Sequence, residues 1–202
     1  MRKLIFVLLL LSIIPTVLSA GDEDRPKPPK VTTLEPPRAR MGKRILLIID
    51  GSGSMTGEST ARALREVEMV CSQGVDEYEV GVCVFGSGYI FRNLDGQIVW
   101  EKMPSAKAKD RILRWLRPKM GACGSTNLAP ALTWGMRQEK VTLLVVSDGM
   151  IDDAHIATTA MLAARHEKRL PVIATLSVAS INTKNVLRTL GKEGSGGCWR
   201  VE

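Results

Sequence analysis

The stretch from Arg44 to Thr56, RILLIIDGSGSMT, constrains the fold of this chain more than any other. Ile45 to Ile49 is a short, unbroken apolar run, which fits a strand buried on both faces of a parallel sheet. Asp50 ends the run with a charge, and Gly51 and Gly53 then break the regular backbone. Asp50, Ser52 and Ser54 alternate along this turn and gather one carboxylate and two hydroxyls at the carboxyl end of a strand. Ligands of open α/β sheets bind at such ends, above all where strand order reverses. All three groups are hard oxygen donors, a set that suits Mg²⁺ or Mn²⁺ and not zinc or copper.

Ahead of this strand, residues 1–20 read MRKLIFVLLLLSIIPTVLSA. A positive start at Arg2 and Lys3, an apolar stretch from Leu4 to Ile14 and small residues at Ser19 and Ala20 form the pattern of a secretory signal peptide. An uncleaved membrane anchor over residues 4–20 is the rival reading, weakened by Ser12, Pro15 and Thr16. Either way the rest of the chain is expected to be exported. Residues 21–42 are charged and carry Pro26, Pro28, Pro29, Pro36 and Pro37, as an extended spacer does. The net charge of +7 is concentrated early: residues 1–44 hold nine Lys/Arg and four Asp/Glu. The remainder is nearly balanced, and its few aromatic residues form no base-stacking series, so nucleic acid is not an expected partner.

From Lys43 onward, strand and helix patterns alternate. Glu58 to Ser72 has helical spacing, with Ala61, Leu64 and Val67 near one face, and Gly74 as its stop. Tyr78 to Phe85 reads as a second buried strand. Tyr89 to Phe91 and Gln97 to Met103 flank Asn93-Leu94-Asp95-Gly96, a hairpin signal, and at least one of them is expected as an antiparallel edge strand. A basic helix follows Pro104 and Ser105 to near Trp115. Its row of Lys107, Lys109, Arg111, Arg114, Arg117 and Lys119 is either a solvated face or a patch for an acidic partner or membrane surface. Gly121 to Asn127 is a loop, and Leu128 opens a helix reaching about Arg137. Val141 to Val146 is another buried strand, closed by Ser147-Asp148-Gly149. Asp152 or Asp153 is placed to cap the next helix, which runs to about Lys168. Pro171 to Val178 is a strand, Asn182 caps a helix ending before Gly191, and Cys198 to Val201 is a last short strand. Such alternation implies a mainly parallel sheet with helical crossovers.

This order, with these turns, resembles the von Willebrand factor type A domain over residues 43–202. The motif that carries the resemblance is the metal-ion-dependent adhesion site. Asp50, Ser52 and Ser54 match its Asp-x-Ser-x-Ser turn, Thr126 its distant threonine and Asp148 its distant aspartate. The resemblance implies a Rossmann-like three-layer sandwich with a mostly parallel six-stranded sheet and one antiparallel edge strand. It also implies that Ser52 and Ser54 bind the ion through their hydroxyls, that Thr126 joins directly or through water, and that Asp50 and Asp148 act mainly through bound waters. A divalent ion touched mainly by neutral hydroxyls keeps its charge for an incoming group. The implied function is capture of a protein partner by an Asp or Glu carboxylate at Mg²⁺ or Mn²⁺, without catalysis. The family usually adds a helix after the last strand, and none is expected before Glu202.

Other chemistries fit less well. Ser, Asp and Gly are common turn residues, which accounts for any one segment but not for three. Gly51-x-Gly53-x-x-x-Gly57 is a loose dinucleotide fingerprint, but Asp50 would crowd a pyrophosphate and no acidic residue ends the second strand. Ser52 stands where an aspartyl phosphatase needs a second Asp, and no Gly-x-Ser-x-Gly of a serine hydrolase is present. An assembly subunit of an envelope or secreted complex, its metal site mainly stabilising the fold, is the alternative function. His155 and His166 share one helix about 16 Å apart by the helical rise, too far for one metal. Cys71, Cys83, Cys123 and Cys198 permit zero, one or two disulfides, with Cys83 placed as a core residue. Trp100, Trp115, Trp134 and Trp199 read as packing residues.

Overall fold

The computed structural model describes residues 42–72, 77–179 and 186–200, without the side chains of 199 and 200. The leader, nearly all of the spacer, Gly74 and the Asn182 cap lie outside the described residues.

The first strand, β1 (Arg44–Asp50), is buried from Ile45 onward. Its run is continuously apolar because both faces are covered. Ile45, Leu47 and Ile49 enter one core, and Leu46 and Ile48 enter a second on the opposite face. The same alternation holds in β2 (Tyr78–Phe85), where Val80, Val82 and Val84 face the first core and Cys83 and Phe85 the second. The first core is roofed by α1 (Gly57–Ser72), through Ala63, Val67 and Cys71, and by α2 (Ala106–Leu116), through Ala108, Ile112, Leu113 and Leu116. Ser105 caps α2 by accepting from the Ala108 amide at 3.3 Å, as its position before an apolar-periodic run predicts. The second core is roofed by α3 (Ala129–Met136), α4 (Ala154–His166) and α5 (Val186–Glu193). The result is a three-layer α/β/α sandwich.

Four short strands follow β2 in the chain, and three more parallel strands then complete the sheet: β7 (Thr142–Ser147), β8 (Val172–Ser177) and β9 (Ser195–Arg200). The parallel order is β2-β1-β7-β8-β9. The antiparallel edge expected from the sequence is built in two pieces. Both β3 (Tyr89–Phe91) and β6 (Glu101–Met103) pair with β2. Between them, β4 (Asn93–Leu94) and β5 (Gln97–Ile98) form a separate hairpin. Asp95 and Gly96 at its tip have φ of 53° and 78°. Two positive φ values at the centre of a two-residue turn match the right-handed twist of the flanking strands.

One helix boundary differs from the sequence expectation. α5 runs through Gly191 to Glu193 and does not stop before the glycine. A Cβ on Gly191 would lie 2.2 Å from the Gly197 carbonyl oxygen of β9. This glycine therefore lets a helix approach a strand closely and does not end the helix.

Candidate functional site

Because β2 lies on one side of β1 and β7 on the other, strand order reverses at β1/β7. That reversal opens a crevice outside the carboxyl ends of these two strands. Asp50 is the last residue of β1, and Asp148 follows the last residue of β7. The fold thus places the two carboxylates, 98 positions apart in the sequence, at the end of neighbouring strands.

Asp50 is fully buried. Its Oδ1 accepts from the Ser52 amide at 2.9 Å, and its Oδ2 accepts from the Ser147 hydroxyl at 2.6 Å. Burial pushes its pKa above the ordinary carboxylate value. The bonds from Ser147 and Ser52 pull it back in part, and the charge of Asp148 pushes it further up. No basic side chain enters this balance among the described residues. Ser52 is also buried, and its hydroxyl lies 3.0 Å from that of half-buried Ser54. Asp148 is buried and accepts from the Met150 amide at 3.0 Å, which fixes the turn beyond β7.

Main-chain bonds join the remaining loops to this turn. Gly53 N donates to Gly124 O at 2.8 Å and Cys123 N to Gly51 O at 2.8 Å. Ser87 N donates to Cys123 O at 2.7 Å and Asn127 N to Gly86 O at 2.9 Å. The approach is close enough to demand glycine. A Cβ on Gly86 would sit 2.2 Å from Cys123 O, and one on Gly51 would sit 2.8 Å from Lys119 O.

Thr126 is buried and held from both sides by Asp152. Its amide donates to Asp152 Oδ2 at 2.8 Å, and its carbonyl accepts from the Asp152 amide at 3.0 Å. Asp153 stands at the N-cap of α4 but makes no side-chain cap bond there. Its carboxylate turns to α3 and accepts from Leu128 N at 2.8 Å and Ala129 N at 2.9 Å. The capping role expected within α4 is thus exercised on another helix. The physical reason is that α3 begins behind Leu128, whose side chain cannot accept a hydrogen bond, so its first amides need an outside acceptor.

The structure therefore brings Asp50, Ser52, Ser54, Thr126 and Asp148 to one end of the sheet. Ser147, Asp152, Asp153 and Ser87 support them and were not singled out as site residues by the sequence reasoning. The signal for Ser147, Asp152 and Asp153 was the hydroxyl and carboxylates that flank Met150 and Ile151 in this segment, and Ser87 carried none. Among the described residues no group of three or more His, Cys, Asp or Glu gathers as a metal cage. The set is two carboxylates and three hydroxyls. Such an all-oxygen set fits a hard divalent ion, and a buried Asp50 without a basic neighbour lacks the countercharge that such an ion would bring. His155 and His166 are exposed on α4. In the basic row, Lys109 pairs with Glu68 at 2.9 Å and Arg111 with Glu101 at 2.6 Å, so part of that row is engaged within the domain.

No protein-family model matches the chain, and no curated protein does. Solved structures do match. An aerotolerance-related membrane protein of Bacteroides fragilis aligns at TM-score 0.56 and 18% identity, over 79% of this chain and 91% of that one. BatB of Bacteroides thetaiotaomicron aligns at 0.51 and 16%, over 79% and 90%. A von Willebrand factor type A protein of Catenulispora acidiphila aligns at 0.54 and 14%, over 80% of this chain and 39% of that one. The fold is that of a von Willebrand factor type A domain. In this type A fold the oxygen cluster occupies the reversal point between β1 and β7. The manganese-loaded TRAP protein of Plasmodium vivax shares the fold as well, at TM-score 0.50 and 18% identity over 73% of this chain and 61% of that one.

Proposed function

We propose that this protein is a non-enzymatic binding module that captures a partner protein through Mg²⁺ or Mn²⁺ held by Asp50, Ser52, Ser54, Thr126 and Asp148. The observation that carries this reading is Asp50: a fully buried carboxylate, hydrogen-bonded by Ser52 and Ser147 and close to Asp148, with no basic partner in the balance. A cation at the cluster would supply that partner. In this reading Ser52 and Ser54 present hydroxyl oxygens directly, Thr126 adds a third directly or through water, and Asp50 and Asp148 orient waters and hydroxyls by accepting from them. The ion, when bound, offers an open position to an Asp or Glu carboxylate of the partner. The manganese-loaded neighbour of the same fold supports a divalent ion.

An exported protein is proposed as well, on the leader pattern of residues 1–20. It is supported by the membrane-protein description of the Bacteroides fragilis neighbour. Among the described residues no helix is long and apolar enough to cross a membrane. A tether over residues 4–20 would leave the type A domain facing outward. The alternative of an assembly subunit stabilised by the ion gains little from the geometry, since main-chain bonds already join the loops without it.

The test is thermal melting of the full chain in Mg²⁺, Mn²⁺ or EDTA, beside Asp148→Ala. A native-state site at a hundredfold excess of ion over Kd adds about 2.7 kcal/mol, or roughly 5–10 °C for a chain of this size. The shift should appear in the parent and vanish in the variant. No shift in either would overturn the metal site.

A further inference from the structure

Residues 45–202 hold nineteen Lys/Arg and seventeen Asp/Glu, but seven of those cations and one of those anions fall between Lys102 and Lys119. The rest of this stretch carries twelve cations against sixteen anions, so one basic segment is set in an otherwise acidic domain. The segment covers the end of β6, all of α2 and the short turn of helix Arg117–Lys119 that continues it. α2 buries Ala108, Ile112, Leu113 and Leu116 in the first core. Lys107, Arg111 and Arg114, at i, i+4 and i+7, share its outer side over about 10 Å of helix.

Three cations of the segment are engaged. Lys109 pairs with Glu68 at 2.9 Å, Arg111 pairs with buried Glu101 at 2.6 Å, and Lys119 sits over the Trp115 ring at 4.2 Å. The side chains of Lys102, Lys107, Arg114 and Arg117 are exposed and make no ion pair or hydrogen bond among the described residues. Cations that find no partner in their own chain create a field that attracts an anionic one. The face begins where the chain enters the domain: Lys102 and Arg44 are both register partners of Glu79, at the strand-start end of the sheet and away from the oxygen cluster. With no bond fixing the four side chains, they meet a plane of headgroup phosphates without a preset spacing. Four or more Lys/Arg clustered on an amphipathic helix are the pattern of an anionic-lipid contact.

We propose that the outer face of α2 and its continuation to Lys119 rests on a phospholipid surface that bears anionic headgroups. The contact is electrostatic, because the apolar side of α2 is buried in the core. The leader pattern of residues 1–20 supports it, since export takes the chain through a membrane whether the leader is cleaved or kept. The oxygen cluster lies at the other end of the sheet from Lys102 and stays uncovered. The contact needs no metal, so it stands apart from the metal-site reading.

The test is co-sedimentation of the full chain with vesicles of phosphatidylcholine alone, or of phosphatidylcholine mixed two to one with phosphatidylglycerol. EDTA is present throughout, so the oxygen cluster takes no part. The basic leader is common to every variant, so differences between variants report the domain. Each cation near an anionic surface strengthens attachment about fivefold, so Lys107→Gln/Arg114→Gln should weaken binding to the mixed vesicles about ten- to thirtyfold at low salt. Its melting temperature and its binding to phosphatidylcholine should match the parent, and the difference should close at high salt. Lys168→Gln/Lys192→Gln removes the same charge from the side of α4 and α5 and should lose less than about threefold. Equal losses from the two double variants would reduce the effect to net charge and overturn the face. An unchanged affinity of Lys107→Gln/Arg114→Gln for the mixed vesicles would overturn the lipid surface. Polyglutamate binding that this variant loses, beside that unchanged affinity, would assign the face to an acidic protein instead.

Discussion

Replacing Asp153 by alanine removes the acceptor of two backbone amides, Leu128 N and Ala129 N. Leu128 is fully buried and Ala129 nearly so, and neither amide regains a full hydration shell when the carboxylate is gone. Hydrogen bonds to a charged acceptor contribute about 1.5–3 kcal/mol each, and loss of a helix N-terminal acceptor costs about 0.5–2 kcal/mol. Both amides share one carboxylate, so these contributions overlap and the expected loss is about 3 kcal/mol. That corresponds to roughly 6–12 °C in melting temperature for a chain of this size. Asp153→Asn keeps one acceptor oxygen and should lose about half as much. Because the two amides lie just beyond Thr126, loosening them should also shrink the Mg²⁺-induced shift. The assay is thermal and urea unfolding of parent and variants by circular dichroism, in Mg²⁺ and in EDTA. A loss below about 1 kcal/mol for Asp153→Ala would refute the reasoning, since water would then be replacing the carboxylate at both amides.

Asp50→Asn should melt no lower than the parent in EDTA and should show no Mg²⁺ shift. In EDTA the parent should gain stability as pH falls through the raised folded pKa of Asp50 toward the ordinary value of 3.8, and the variant should lack that gain. Glu101 titrates in the opposite sense: bonds from Arg111 above all hold its pKa below 4.5, so its contribution is present above that value and lost as pH falls through the folded one. Glu101→Gln leaves the Arg92 guanidinium, largely buried and 2.7 Å from the lost anion, without its partner, and should cost about 3 kcal/mol in urea unfolding near neutral pH. Burial pushes the thiols of Cys71 and Cys83 up to about 12, so iodoacetamide at about pH 8 should label neither until the chain unfolds. Quantitative thiol labelling checks this.

Much of the architecture was legible because it rests on local patterns. The unbroken run from Ile45 to Ile49 reports two covered faces, and the Asp50-Ser52-Ser54 alternation marks the strand end where the cluster forms. Thr126 and Asp148 were recognisable from their turns once a resemblance supplied the frame. The misread features are those settled by distant neighbours. Gly191 looked like a helix stop, but its role is set by the Gly197 carbonyl of a strand that follows a turn later. Asp153 looked like the cap of its own helix, since capping rules are local, yet its carboxylate reaches back 24 and 25 residues to α3. The edge of the sheet, expected to hold at least one antiparallel strand, holds two, β3 and β6, with the Asp95-Gly96 hairpin between them.

The loops that carry the cluster are joined mainly by amides and carbonyls. Every residue type but proline owns both groups, so most side chains along these loops can be exchanged without moving the backbone. Only a few positions resist, among them Gly51 and Gly86, where even one added carbon collides. A scaffold fastened this way can drift far in composition and keep its outline. Such fastening is compatible with the 14 to 18% identity at which the chain aligns with the four neighbours named above. In a scaffold of this kind the outline of the backbone, more than the identity of its side chains, is what holds the oxygen cluster in place.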